Sequence, residues 1–366
     1  MRCKGWLTPW IGLILIWPMM LCAQQNADFW HLEEFYETFP QQKKLSVDFA
    51  ERIKSAGQPL VKRNDPIRIF VVYPGHQVSD YWRRSIKSLT ARLDELNVAY
   101  QIYHHSTRPA VAIEQQKRLI KKALRYQTDY FIFTLDVDQH QELVSTILLK
   151  SNMKLILQNI TTPFFRWQSV PPFMYVGFDH FKGTELLSQY YQQKYPKAKY
   201  SLVYRSPGYI SQARGDSFIA LQKAHGGHLV ASEYTDASLH GAKRKAYEML
   251  QQETDIEYIY ACSTDVAFGV RRALERLGLA DRIAVNGWGG GEQELKAILE
   301  GELDVTVMRM SDDNGVAMAE GIALDLQGKK HLVPQVFSGE FKLVTKATSP
   351  IEIEQYKRYA FRYSSP

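Results

Sequence analysis

From Ile67 onward the chain alternates short apolar runs with longer stretches whose apolar residues fall three and four apart. Ile67–Tyr73 is a β-branched run of strand length, and Tyr81–Asn97 then places Trp82, Ile86, Leu89, Leu93 and Leu96 on one helical face. Val98–Tyr103 reads as the next strand and Ala110–Gln127 as a helix with Ile113, Ile120 and Leu124 inward. The strand Tyr130–Leu135, the helix Glu142–Lys150 and the strand Lys154–Asn159 follow. The rhythm then continues with strands at Met174–Phe178, Leu202–Tyr204, Leu229–Ser232, Tyr258–Cys262, Ile283–Asn286 and Val305–Met308. Strands alternating with helices require crossover connections, so the pattern predicts an α/β fold with parallel sheets covered on both faces.

Two sheets in succession, with no repeat or Ser/Gly linker between them, predict two lobes joined by direct crossings and separated by a cleft. Ahead of them, residues 24–66 form an aromatic-rich extension (Phe29, Trp30, Phe35, Tyr36, Phe39) expected to pack on the body. The first 23 residues have the form of a secretory signal. Arg2 and Lys4 precede the apolar stretch Leu7–Leu21, and Ala23 is the expected cleavage point. A lipoprotein signal using Cys22 would want a small residue where Leu21 stands, and Pro9 and Pro18 argue against a retained anchor. Cleavage removes two of the three cysteines and leaves Cys262, so the exported chain is expected to rely on core packing rather than disulfides.

Composition narrows the class further. The chain has 366 residues, 45% of them apolar and 23% charged, which fits a globular protein of about two domains. The net charge of +6 is spread among acids without a long basic run, which excludes a nucleic-acid footprint.

Ligands of open parallel sheets sit beyond the carboxyl ends of the strands, so those positions carry the candidate chemistry. After the first strand stand Gln77, Ser79 and Trp82, with Ser79 or Asp80 alternatively capping the next helix. Thr134, Asp136 and Asn159 follow later strands, and Asn159 also matches a glycan acceptor. The second half offers Arg214, Thr264, Asp265, Trp288 within a glycine cluster, and Arg309 between two methionines. A buried guanidinium is costly unless paired, so Arg309 needs an acid or an anionic ligand, and Asp265 could be the partner of an arginine. The cluster Gly287–Gly291 lacks dinucleotide-binding spacing and more plausibly lets backbone approach a ligand. No nucleophile elbow or zinc motif is present, Cys262 reads as a core thiol, and the Arg214-Gly215-Asp216 tripeptide reads as chance rather than an adhesion motif. The chain is therefore expected not to be an enzyme.

The segments Val71–Trp82, Leu155–Thr162, Tyr175–Asp179, Tyr260–Ala267, Asn286–Gly291 and Val307–Met310 together resemble the autoinducer-2-binding branch of the ribose-binding-like periplasmic protein family. The similarity runs on to Phe361–Ser364. It implies a type I periplasmic binding protein fold, two Rossmann-like lobes with three hinge crossings. The lobes are expected at 67–177 plus 311–335 and at 178–310 plus 336–348, with 349–366 as a C-terminal segment. It also implies ligand contacts from Gln77, Ser79, Trp82, Asn159, Arg214, Thr264, Asp265, Trp288 and Arg309. The implied function is that of a periplasmic receptor for the quorum-sensing signal autoinducer-2, a furanosyl borate diester. No cofactor is implied, but the ligand is expected to carry boron. The implied partner is the periplasmic domain of a membrane-bound hybrid sensor histidine kinase of the LuxQ kind. A sugar-binding protein of an ABC importer would share the fold and is the alternative. A LacI-type repressor would need a helix-turn-helix where this chain has an export signal, and an exported hydrolase would need the catalytic groups that are missing.

Overall fold

The inner strands of the first sheet are apolar on both sides, as burial between two helical layers demands, while the edge strand Tyr100–Ser106 is only half-buried. Ile69 and Val71 point to one face and Phe70 and Val72 to the other, all of them buried. The computed structural model describes residues 28–61, 65–135 and 137–365; the expected signal over 1–23 and Asp136 lie outside them. The strands within the described residues are β1 (Ile67–Tyr73), β2 (Tyr100–Ser106), β3 (Tyr130–Thr134), β4 (Lys154–Gln158), β5 (Met174–Phe178), β6 (Lys199–Val203), β7 (His228–Glu233), β8 (Tyr258–Ala261), β9 (Ala284–Val285), β10 (Val305–Arg309), β11 (Val336–Gly339) and β12 (Phe341–Thr345).

The first sheet has the order β11-β5-β4-β3-β1-β2 and is parallel throughout. The second has the order β7-β6-β8-β9, also parallel, and single bridges from Asn286 and Gly289 to β10 extend it towards the antiparallel pair β10-β12. Four apolar clusters correspond to the two faces of the two sheets. This is the doubly wound two-lobe α/β architecture expected from the alternation.

The chain crosses between lobes three times. It leaves the first lobe after β5, returns after β10 into the helix Asp312–Leu326, and leaves again between β11 and β12. Two lobe boundaries differ from expectation. Phe178 and residues 336–339 belong to the first lobe, because β11 pairs with β5 from Val336↔Tyr175 to Gly339↔Phe178 and only Phe341 onward pairs with β10. The last crossing is therefore at Glu340 rather than 335/336. Expected strands stop at Met308, so β11 and β12 are found only in the structure. Leu124, expected inward, is exposed; on its helix Ile120 is buried as expected, together with Gln116 and Ala123.

The extension forms the helices Leu32–Thr38 and Pro40–Lys54. Phe49 and Ile53 join one face of the first lobe, and Phe29, Leu32, Phe35 and Tyr36 join the other. Among the described residues no helix is long and apolar enough to cross a membrane.

Candidate functional site

The site lies where the C-terminal ends of the two sheets face each other. Gln77, Ser79, Tyr81, Trp82 and Asn159 line it from the first lobe, and Arg205, Arg214, Ser263, Thr264, Trp288 and Arg309 from the second. The space between these side chains, open solvent at the mouth included, is about 340 Å³.

On the first lobe, the loop after β1 presents Ser79 rather than spending it on the helix. Its Oγ is a long 3.5 Å from the Tyr81 amide, and Asp80 makes no side-chain cap, accepting instead from Arg84 Nε at 2.6 Å. Trp82 stacks on Tyr73, and Tyr81, whose hydroxyl bonds Asn314, lays its ring 3.9 Å beneath the Arg309 guanidinium. Burial pushes the Tyr81 phenol up to about 12, so the ring is neutral. Asn159 follows β4 in the left-handed region at φ 64°, a conformation asparagine tolerates. Its Oδ1 is buried without a hydrogen-bond partner. The glycan-acceptor reading of Asn159 loses force, since the side chain is buried at the cleft.

On the second lobe, Arg214 sits in a π-helical turn, Gln212–Asp216, of the kind often found at functional sites. Gly215 is required there because a Cβ would come within 2.0 Å of the Tyr204 ring, and Asp216 accepts from the Tyr204 hydroxyl at 2.6 Å. The Arg-Gly-Asp tripeptide is thus a packing solution that aims its arginine inward. Arg214 Nη1 donates to the Cys262 carbonyl at 2.8 Å and its guanidinium lies 3.5 Å over the Trp288 ring. Trp288 is held by Glu294, a buried carboxylate that accepts from the Trp288 and Gly290 amides and the Thr306 hydroxyl at 3.0, 2.8 and 2.6 Å. Thr264, at the start of the helix Thr264–Leu277, donates to the Trp288 carbonyl at 3.3 Å.

Arg309 ends β10. Its guanidinium makes no ion pair or hydrogen bond with any described residue, and Arg214 makes no ion pair among the described residues. The Nε atoms of both are buried without a partner. Burial, reinforced for Arg214 by the charges of Arg309 and Arg205, lowers the pKa of each. Two poorly compensated cations near each other are expensive, and an anion between them would relieve the cost.

Eight of the nine sequence-derived residues therefore converge. Asp265 stands apart. It is buried behind the lining, where Oδ1 accepts from the Val78 amide at 2.9 Å, a bond between the lobes, while Oδ2 has no partner. It makes no ion pair with an arginine among the described residues. Burial raises its pKa despite the Val78 and Ser79 amides. Thr134 is buried but not among the lining residues. Tyr81, Arg205 and Ser263 were missed. Arg205 lies two residues past β6, so the strand-end rule reaches it, and Tyr81 adjoins Trp82. Cys262 is fully buried, and burial pushes its thiol pKa up, as a core residue requires. No cluster of three metal-ligating side chains occurs among the described residues.

A family model described as "Periplasmic binding protein domain" matches residues 69–330. The ribose import binding protein RbsB of Salmonella typhimurium is 28% identical over 136 residues, 37% of this chain and 45% of that protein, so the chain spans about half the length of the curated relatives it matches. Among solved structures, a Bacillus halodurans C-125 ABC transporter solute binding protein with bound myo-inositol superimposes with a TM-score of 0.67 at 16% identity, covering 83% of this chain and 99% of that one. The XylFII–LytSN complex contains a chain with a TM-score of 0.66 at 15% identity, covering 78% of this chain and 100% of that one. These last likenesses concern the fold. The family match spans most of the chain and both lobes, and the chain belongs to the periplasmic binding protein domain family.

Proposed function

We propose that the chain is a periplasmic receptor whose inter-lobe cleft binds a small polyhydroxylated anion, the furanosyl borate diester autoinducer-2, and passes lobe closure to a membrane-bound sensor kinase. The observation that carries the reading is the pair Arg214 and Arg309, buried at the cleft without a carboxylate among the described residues. Charge-assisted hydrogen bonds from them contribute about 1.5–3 kcal/mol each, and two such cations suit a neutral sugar poorly. Gln77, Ser79, Asn159 and Thr264 supply directed contacts for hydroxyls, while Trp82 and Trp288 cover C–H surface and exclude water. The sequence likeness to LuxP-type receptors and the occurrence of a structural neighbour in a XylFII–LytSN complex support a partner protein.

A second reading, the sugar-binding protein of an ABC importer, is favoured by the comparisons more directly. The curated relatives are ribose import binding proteins, and structural neighbours hold myo-inositol and D-allose. In either case the ligand acts by differential affinity, binding the closed arrangement more tightly than the open one. Release of the co-purified ligand by denaturation, followed by mass and boron analysis, separates the two. A boron-containing anion supports the first; a neutral sugar without boron overturns it.

A further inference from the structure

A buried imidazole stands where ligand-facing groups of the two lobes meet. His180 is the first residue of the helix His180–Lys194, just past the first crossing, and is fully buried. Its Nε2 is 3.0 Å from the Asn159 carbonyl oxygen. A carbonyl only accepts, so Nε2 carries the proton and Nδ1 is left as an acceptor, 3.3 Å from Arg214 Nη2. The ring also meets Trp288 edge-on at 5.4 Å, the same indole that lies under Arg214.

We propose that His180 is a positioning residue that sets Arg214 of the second lobe against Asn159 of the first, so that the two ligand-facing groups are placed as a unit. The Cys262 carbonyl fixes one end of the guanidinium, His180 the other, and Trp288 its face. On the other side the imidazole proton ties down the Asn159 backbone in its left-handed turn. Protonation would convert Nδ1 into a donor facing a cation. Burial first, then the charges of Arg214, Arg309 and Arg205, hold the imidazole pKa well below the ordinary histidine value, and no carboxylate contacts the ring among the described residues. The neutral, Nε2-protonated ring is what both bonds require. The inference rests on the reading that Arg214 contacts an anion in the cleft.

Two variants and one spectrum test it. His180→Gln retains a planar donor and acceptor, whereas His180→Leu retains bulk alone. With D-ribose premixed with borate as the probe, Gln is expected within about threefold of wild-type affinity and Leu to lose about thirtyfold or more. No loss in Leu, or equal losses in both, would overturn the proposal. In ligand-free, histidine-labelled protein, nitrogen-15 NMR should show His180 as the neutral Nε2–H tautomer from pH 5 to 8, with an Nδ1 resonance that shifts in Arg214→Lys. A protonated Nδ1, or a resonance indifferent to Arg214, overturns it even if the Leu variant does not fold. Failure of wild type to bind the probe counts against the reading of the cleft and leaves the spectrum to decide the role of His180.

Discussion

The proposed anion chemistry rests on Arg214 and Arg309, and they can be tested singly. Arg309→Ala removes a cation stacked on Tyr81, and Arg214→Ala one stacked on Trp288. Each is expected to weaken binding of an anionic ligand by about 10- to 150-fold, the equivalent of one charge-assisted bond, while melting temperatures stay near or above wild type because a buried charge has gone. Calorimetry with parallel thermal melts checks both halves. Gly289 gives an independent handle, since at φ 139° a Cβ would stand 2.5 Å from Arg309 Nη2. Gly289→Ala should displace Arg309 and lose affinity for the same probe without touching it directly.

Asp265 carries a pH prediction. Its folded pKa is raised, so its carboxyl costs stability, a cost that builds between the ordinary carboxylate value of about 3.8 and the raised folded pKa, is fully present above it and vanishes below 3.8. Asp265→Asn keeps an acceptor for Val78 and should match or exceed wild type in melting temperature at pH 7, with the difference closing towards pH 3.5. Asp265→Ala loses the acceptor and should destabilise at both pH values by about 1–3 kcal/mol. A widening gap on acidification for the Asn variant would contradict this sign.

At the scale of elements, the strand-to-helix rhythm was legible because apolar runs and helical spacing are local. Most of the eight converging residues were legible because they stand at or just past a strand end or at the start of the helix that follows; Arg214, in the π-helical turn well beyond β6, is the exception. What escaped was long-range. β11 and β12 are edge segments whose lobes are decided by pairing with β5 and β10, far away in sequence. Asp265 shares the strand-end signature but turns to the opposite lobe's backbone, which only folding reveals. Glu294 was invisible for the same reason, since nothing in its own segment announces that it organises the loop carrying Trp288. Glu294→Ala leaves three donors without their acceptor and should cost about 3 kcal/mol, read as a lowered melting temperature together with a changed Trp288 fluorescence.

The whole molecule is two sheets held at a three-crossing hinge, with the aromatic extension strapped across both lobes. Phe29 packs against Phe164 of the first lobe and against Tyr209 and Phe181 of the second, at ring separations of 5.5, 5.3 and 6.2 Å. Bonds also join the two lobes, from Val78 to Asp265 and from Arg84 to Glu292. A ligand that contacts both lobes adds to this closed arrangement, and about 5.5 kcal/mol of differential binding would move a balance of 1:99 to 99:1. The claim that matters most is that the ligand filling this cleft is an anion. Titration of the ligand-stripped wild-type protein with D-ribose alone and with D-ribose premixed with borate tests it most directly. The account predicts that the borate ester binds at least tenfold more tightly; equal or tighter binding of the uncharged sugar would contradict it.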